Sequence, residues 1–252
     1  MSKAKAENRP LPKRFYAAVD VQQNEGGFCI ALDGKIVRTP QRKMLQHASQ
    51  QLAAAIAAEW ASQGEEIDTD TMPLTRLLTI ALDRVPLDRA ALLSELHAYG
   101  ETDLLCYRSP REDHGLFNQS SAALRAQQDA SFDPILAWAA QAYGVQLEVT
   151  EGIMPITQHA ASLAALADVF AAANDHELAA LSLMLPILGS ALLVLAVWKG
   201  QLSIAQALSA ARLDEDAQIE HWGYDHEVIT KWNAKCEQAK AAAFFLTCNA
   251  LD

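Results

Sequence analysis

The sequence predicts an α+β protein in which a small antiparallel β-rich N-terminal domain precedes a larger, mainly α-helical domain. Three observations lead there. The pair Asp33-Gly34 sits between runs of apolar and β-branched residues, the strongest short-range signal for a two-residue hairpin. From residue 49 onward, apolar residues recur at three- and four-residue spacings, the period of a helix with one buried face. Hydrophobic residues make up 51% of the 252, aromatics only 7%, and this Ala- and Leu-rich balance favours helix. The expected layout is a flexible basic tail over residues 1–14, a β-rich domain over 15–48 and a helical domain over 49–252.

Residues 15–21 read as a first strand, Asn24-Glu25-Gly26-Gly27 as a turn, residues 28–32 as a second strand and 35–38 as its hairpin partner, ended by Pro40. Ser49 is a plausible N-cap for a helix that buries Leu52, Ile56 and Trp60 and stops at Gly64. Pro73 opens a second helix, whose stripe is Leu74, Leu77, Leu78, Ala81, Leu82 and Val85. A third carries Leu92, Leu93, Leu96 and Tyr99, and residues 103–107 read as a strand or buried extended run. Helices are expected over 117–129 and 134–143, split at Asp133-Pro134. A strand over 146–150 and helices over 158–173, 176–198 and 203–212 follow. A last helix starts near Asp214 or Glu215 and runs to Thr247. Its seam of Ile229, Trp232, Cys236, Ala239, Ala243 and Leu246 is too short for a stable coiled coil, so it is expected to pack on its own domain.

Charge and cysteine usage narrow the function. A net charge of −11 argues against a nucleic-acid backbone as main partner. Cys29, Cys106, Cys236 and Cys248 form no CxxC pair, which excludes a zinc knuckle or thioredoxin-like motif. The basic tail (Lys3, Lys5, Arg9, Lys13 and Arg14 against Glu7) is followed by no apolar run, so it is not a secretory signal. Residues 178–198 carry no charge and are long enough to span a bilayer. Ser182, Pro186, Gly189 and Ser190 interrupt them and no basic cluster flanks them, so a buried central helix is the better reading.

No catalytic residue, cofactor site or metal site emerges. Phosphate-binding glycine motifs and a GxSxG elbow are absent. Asp175-His176-Glu177 and Asp225-His226-Glu227 resemble metal clusters, yet adjacent helical residues point about 100° apart and cannot converge on one ion. His221 and His226 are five apart, not the i, i+4 of a helical zinc pair. More suggestive is the acidic group around Trp222-Gly223. Its candidate partner-binding residues are Glu215, Asp216, Glu220, Trp222, Asp225 and Glu227. Two readings stay open for it: acids favoured by a helix N-terminus, or a partner-facing patch with an aromatic anchor.

Several phrases occur together and in order: Leu32-Asp33-Gly34-Lys35 with Arg38-Thr39-Pro40, Glu59-Trp60 with Gln63, Met72-Pro73-Leu74-Thr75-Arg76-Leu77, and Tyr99 with the run from Thr102 to Arg108. Gln128, Asp133-Pro134, Trp138 and the run from Gln218 to Gly223 complete them. This series resembles the F-type ATP synthase assembly chaperones that bind the alpha subunit of the catalytic head, a family of mitochondria and alphaproteobacteria. The resemblance spans residues 15–246. It implies a small β-rich domain before a helical one, and a chaperone without nucleotide hydrolysis that covers the alpha subunit until the beta subunit displaces it. It also implies an important acidic position in the C-terminal helical region, for which Glu215, Asp216 and Glu220 are the nearest residues. Trp60 fits core packing, whereas Arg76 and Asp103 could each be a buried pair partner or a contact residue. The expected state is a monomer in the bacterial cytoplasm, the mitochondrial matrix being the alternative location. Two other readings compete: a small-molecule enzyme using His159, His176 or His226 with a carboxylate in a helical pocket, and a membrane-tethered factor using residues 178–198.

Overall fold

Strand β1 (Val19–Asn24) turns through Glu25-Gly26 into β2 (Gly27–Leu32), and the two pair antiparallel with Asn24 opposite Gly27. These lie in a computed structural model that describes residues 11–111, 121–152, 154–222 and 226–249. Asp33 and Gly34 both have positive φ, 48° and 76°, as a type I′ hairpin requires. They return the chain into β3 (Lys35–Ile36), and β4 (Gln46–His47) pairs the other end of β2. Gly27 is obligatory there: its φ is 116°, and a Cβ would stand 2.4 Å from the His47 carbonyl oxygen. The first strand starts at Val19, later than residue 15, because Tyr16 turns inward instead. Its hydroxyl donates to the Trp60 carbonyl at 2.7 Å and its ring meets the Trp60 ring edge-on.

Helix α1 (Gln50–Ala61) is capped by the Ser49 hydroxyl, which accepts from the Leu52 N–H. It packs on the sheet and sends Glu59 to the next helix. Met72, the N-cap of α2 (Pro73–Thr79), offers no side-chain cap. Glu59 supplies it, accepting from the Leu74 and Thr75 N–H groups at 2.7 and 2.8 Å and from the Thr75 hydroxyl at 2.7 Å. An orphaned helix terminus is thus satisfied from a neighbouring element.

The second and third expected helices are one run. A π-turn over Ile80–Arg84, closed by the Val85 N–H on the Ile80 carbonyl, joins α2 to α3 (Val85–Glu101). The cause is Pro86: it has no N–H for the Leu82 carbonyl and disrupts the i→i−4 ladder. Lys43 Nζ donates to that Leu82 oxygen instead. The buried Asp83 carboxylate accepts from the Thr39 hydroxyl at 2.8 Å and from the Gln41 N–H at 3.0 Å. The π-turn is therefore where the loop after β3 attaches to the helices.

Residues 103–107 are not a strand. They form a 3-10 turn, Leu104–Cys106, leading into β5 (Tyr107–Arg108), which pairs parallel with β6 (Thr150–Glu151). Of the strand expected over 146–150, only the end forms. Helix α4 (Ser121–Tyr143) continues through Pro134 rather than breaking there; residues 117–120 lie outside the described part. Its turn around the proline is held from outside. The fully buried Arg108 guanidinium donates to Asp129 and Asp133, each at 2.9 Å, and lies 4.9 Å from the Phe132 ring centre.

After α5 (Ala160–Ala171), the uncharged stretch is two helices, α6 (Asp175–Leu188) and α7 (Ala191–Trp198). Gly189 adopts the left-handed conformation that ends α6 (φ 64°), and Ser190 caps α7. Most residues from Leu178 to Ala196 are buried, Leu183, Pro186 and Ile187 being among the exceptions, and no described helix is long and apolar enough to cross a membrane. Helix α8 (Ile204–Ala211) precedes α9 (Leu213–Trp222) and α10 (His226–Asn249), with residues 223–225 between them outside the described part. Helix α10 packs chiefly on α6, with α2 and α8 beside it. Ala239 and Leu246 of the expected seam are buried, but Ala242 and Phe245 join them while Ala243 is only half-buried.

Asp103 closes the junction between these halves. Fully buried, it accepts from the Leu105 and Leu192 N–H groups at 3.0 Å each, and from Ser190. Burial pushes its carboxyl from 3.8 up to about 6, against the pull of those donors. The native state therefore holds this proton more tightly than the unfolded chain, so the stability Asp103 contributes falls as pH rises from about 4 through 6. Urea unfolding of wild type and Asp103→Asn across that range should show the wild type losing ground relative to the variant with rising pH. A pH-independent difference would refute the linkage. At pH 7 the variant is expected to be less stable by about 2–3 kcal/mol, since its amide NH2 faces backbone donors.

Candidate functional site

The predicted acidic set is divided by the fold. Asp214, Glu215 and Asp216 occupy the first turn of α9, where a helix dipole favours anions. Asp214 is structural: it accepts from the Gln128 side-chain amide of α4 at 2.6 Å. Gln128, buried, also accepts from the Ser109 N–H at 2.8 Å. Asp216 lies 2.7 Å from Arg212 Nε, an ion pair whose angle falls short of a hydrogen bond, and Glu215 lies 4.0 Å from the same atom. That Arg212 is almost buried, its guanidinium 4.9 Å from the Trp232 ring centre. Glu227 makes a 2.6 Å surface pair with Lys231. Glu220 and Trp222 follow on the α9 backbone; their side chains, and Asp225 altogether, lie outside the described part.

Of the predicted acidic set, Glu215 lines a groove, an open cleft of about 400 Å³ between the end of α6 and α10. Its walls include Leu104, Pro186, Val228 and Trp232, with Lys231 and Lys235 on the α10 side. The aromatic beside the acid is thus Trp232. In the sequence Trp232 reads only as a seam residue. The signal that finds it is the spacing of Val228, Trp232 and Lys235, which places all three along one side of α10.

The other singled-out polar residues separate cleanly. Asp103 is the internal cap described above. Trp60 is half-buried and packs between Tyr16 and the core. The Arg76 side chain is 34% exposed, pairs loosely with Asp70 at 3.8 Å and lines a neighbouring groove. The histidines do not assemble a site. His159 meets Glu148 at 3.1 Å on the open surface. His176 meets His47 edge-on and stacks on Phe245, and is held below its usual range by burial. His226 approaches Thr230. None lines a groove described here, and among the described residues no group of His, Cys, Asp and Glu could hold a metal ion.

Three solved structures share the whole architecture, and they place the chain among chaperones. A crystal structure of Atp12 from Paracoccus denitrificans matches with a TM-score of 0.82 and 33% identity, over 94% of this chain and 98% of that one. An aspartate-to-lysine variant of the P. denitrificans Atp12p gives a TM-score of 0.83 and 32% identity over 94% and 97%. A chaperone candidate of Agrobacterium tumefaciens gives 0.85 and 36% over 95% and 87%. Residues 13–140 match the family described as ATP12 chaperone protein. The chain belongs to the ATP12 chaperone family of ATP synthase assembly factors.

Gln128 joins the acidic turn to the α4 scaffold. Gln128→Ala leaves Asp214 and the Ser109 N–H without this partner and is expected to cost about 1–3 kcal/mol. A urea midpoint equal to that of the wild type would show that the contact stabilises nothing.

Proposed function

We propose that the protein binds the free alpha subunit of the ATP synthase catalytic head and shields its subunit interface until the beta subunit replaces it, without hydrolysing nucleotide or catalysing any reaction. The observation that carries this reading is the match over nearly the full chain to Atp12 structures. An unassembled subunit exposes apolar surface that its neighbour would cover, and such patches aggregate. A shield needs a complementary surface and no reacting group. The open groove beside Glu215, part apolar and part charged, supports that use. Within the acidic set we assign the contact to Glu215, with Asp216 orienting Arg212 beneath Trp232; Glu220, Trp222, Asp225 and Glu227 are proposed as further contacts. We place the chaperone as a monomer in the bacterial cytoplasm, the counterpart of the matrix in mitochondria.

Co-purification with separately expressed alpha and beta subunits tests this. Wild type is expected to retain alpha and not beta, and Glu215→Lys to weaken retention by about tenfold. Undiminished retention by the variant would move the contact away from Glu215. Failure of the wild type to retain alpha would overturn the chaperone assignment.

A further inference from the structure

The groove beside Glu215 does not end at Lys235. Pro186, Ile187 and Lys235 also line a second stretch, of about 390 Å³, that runs between α6, the π-turn and α10. Its floor is apolar: Ile80 from the π-turn, and Leu183 and Ile187 on successive turns of α6. Among the described residues, its charged lining side chains are all cations, namely Arg76, Arg84 and Lys235. In a chain of net charge −11, three converging cations around a solvent-facing apolar floor form a local field of opposite sign to that of the molecule.

The fold engages two of these cations in partly exposed pairs. Arg76 meets Asp70 at 3.8 Å and Arg84 meets Asp88 at 3.3 Å, pairs with side chains from 34% to 90% exposed. Such pairs are worth little and exchange readily. By contrast, the arginines that build the protein, Arg108 and Arg125, are buried among carboxylates at 2.6–2.9 Å. The apolar floor is likewise left over by packing: Leu183 and Ile187 are half-buried on the side of α6 opposite its fully buried residues Leu181, Met184, Leu185 and Leu188.

We infer that this stretch receives an amphipathic helix of the client whose apolar stripe seats on Ile80, Leu183 and Ile187 and whose flanking carboxylates meet Arg76, Arg84 and Lys235. Charge complementarity selects an acidic segment, and the i, i+4 spacing of Leu183 and Ile187 suits helix-in-groove docking. The inference rests on the alpha subunit being the client, and extends it: the groove beside Glu215 and the basic stretch would grip one continuous surface, with the acid Glu215 at one end and the arginines Arg76 and Arg84 at the other fixing its direction.

The test uses the isolated alpha subunit as probe. Its dissociation constant is measured at low and high salt for wild type, for Glu215→Lys and for the double variant Arg76→Glu/Arg84→Glu, with thermal melts to verify folding. In parallel, a photo-crosslinking side chain at Gln238, which lines the same stretch, is activated in the complex and the attached client peptide is sequenced. Expected are a loss of affinity of about tenfold or more at low salt for the double variant, shrinking at high salt, and crosslinks to an acidic amphipathic segment. Unchanged affinity of a folded double variant, or crosslinks only to basic or non-helical segments, would overturn the groove while leaving the chaperone reading in place. Absence of alpha binding by the wild type would overturn both.

Discussion

A helix that starts or ends inside a protein leaves backbone groups that water cannot reach, and this fold is organised by how those groups are satisfied. Asp103 is the extreme case. It is a fully buried carboxylate with no cation in hydrogen-bonding contact among the described residues, held by the donors at the start of α7 and of the 3-10 turn before β5. Its charge is tolerated because α7 directs its N-terminal dipole and free N–H groups at it. Removing it would uncap two elements at once. The same logic repeats at Glu59, which caps α2 from α1, and at Asp83, which holds the loop after β3. Three carboxylates thus join the sheet, the first helices and the central helices into one scaffold.

That scaffold determines what is left for function. Glu59, Asp103, Arg108 and Gln128 all lie within the family-like motifs, and each is committed to an internal bond. What the motifs specify is chiefly the assembly of this protein, not its contact with another. Arg76 is the exception. It follows a residue whose N–H and hydroxyl are taken by Glu59, so the helix start is fixed while the guanidinium is turned out toward the groove. A surface group held on a rigid helix terminus is preorganised for binding, which lowers the entropy lost on association.

The sequence made the fold class legible, along with the Asp33-Gly34 hairpin and the helical character of most of the chain, because those depend on local chemistry and period. Its errors lie where a distant group overrode a local signal. Pro134 reads as a break, yet Arg108 grips Asp129 and Asp133 around it. The second and third helices read as separate, whereas a π-turn at Pro86 joins them and is held from the loop after β3, by Lys43 on the Leu82 carbonyl and Thr39 on Asp83. Residues 176–198 read as one helix because apolar content hides the left-handed turn at Gly189. Of the site, the acidic turn was visible as composition. The groove was not, since it needs Ile80, Leu183 and Trp232 from three helices brought together by packing.

The placement of charge gives the last step. Inward carboxylates are matched one by one to donors and cannot be rearranged without unfolding a helix end. The groove cations are matched only loosely, at 3.3 to 3.8 Å and in water. The release of a client proposed above would need this asymmetry. Binding built from desolvated, fully paired charges would be slow to release, whereas an apolar floor with exposed cations gains speed of encounter from long-range attraction and loses its grip when a competing surface covers the apolar part. On the proposed reading, displacement would require no energy source in the chaperone itself, only a partner subunit that buries more of the client's apolar area than this groove can.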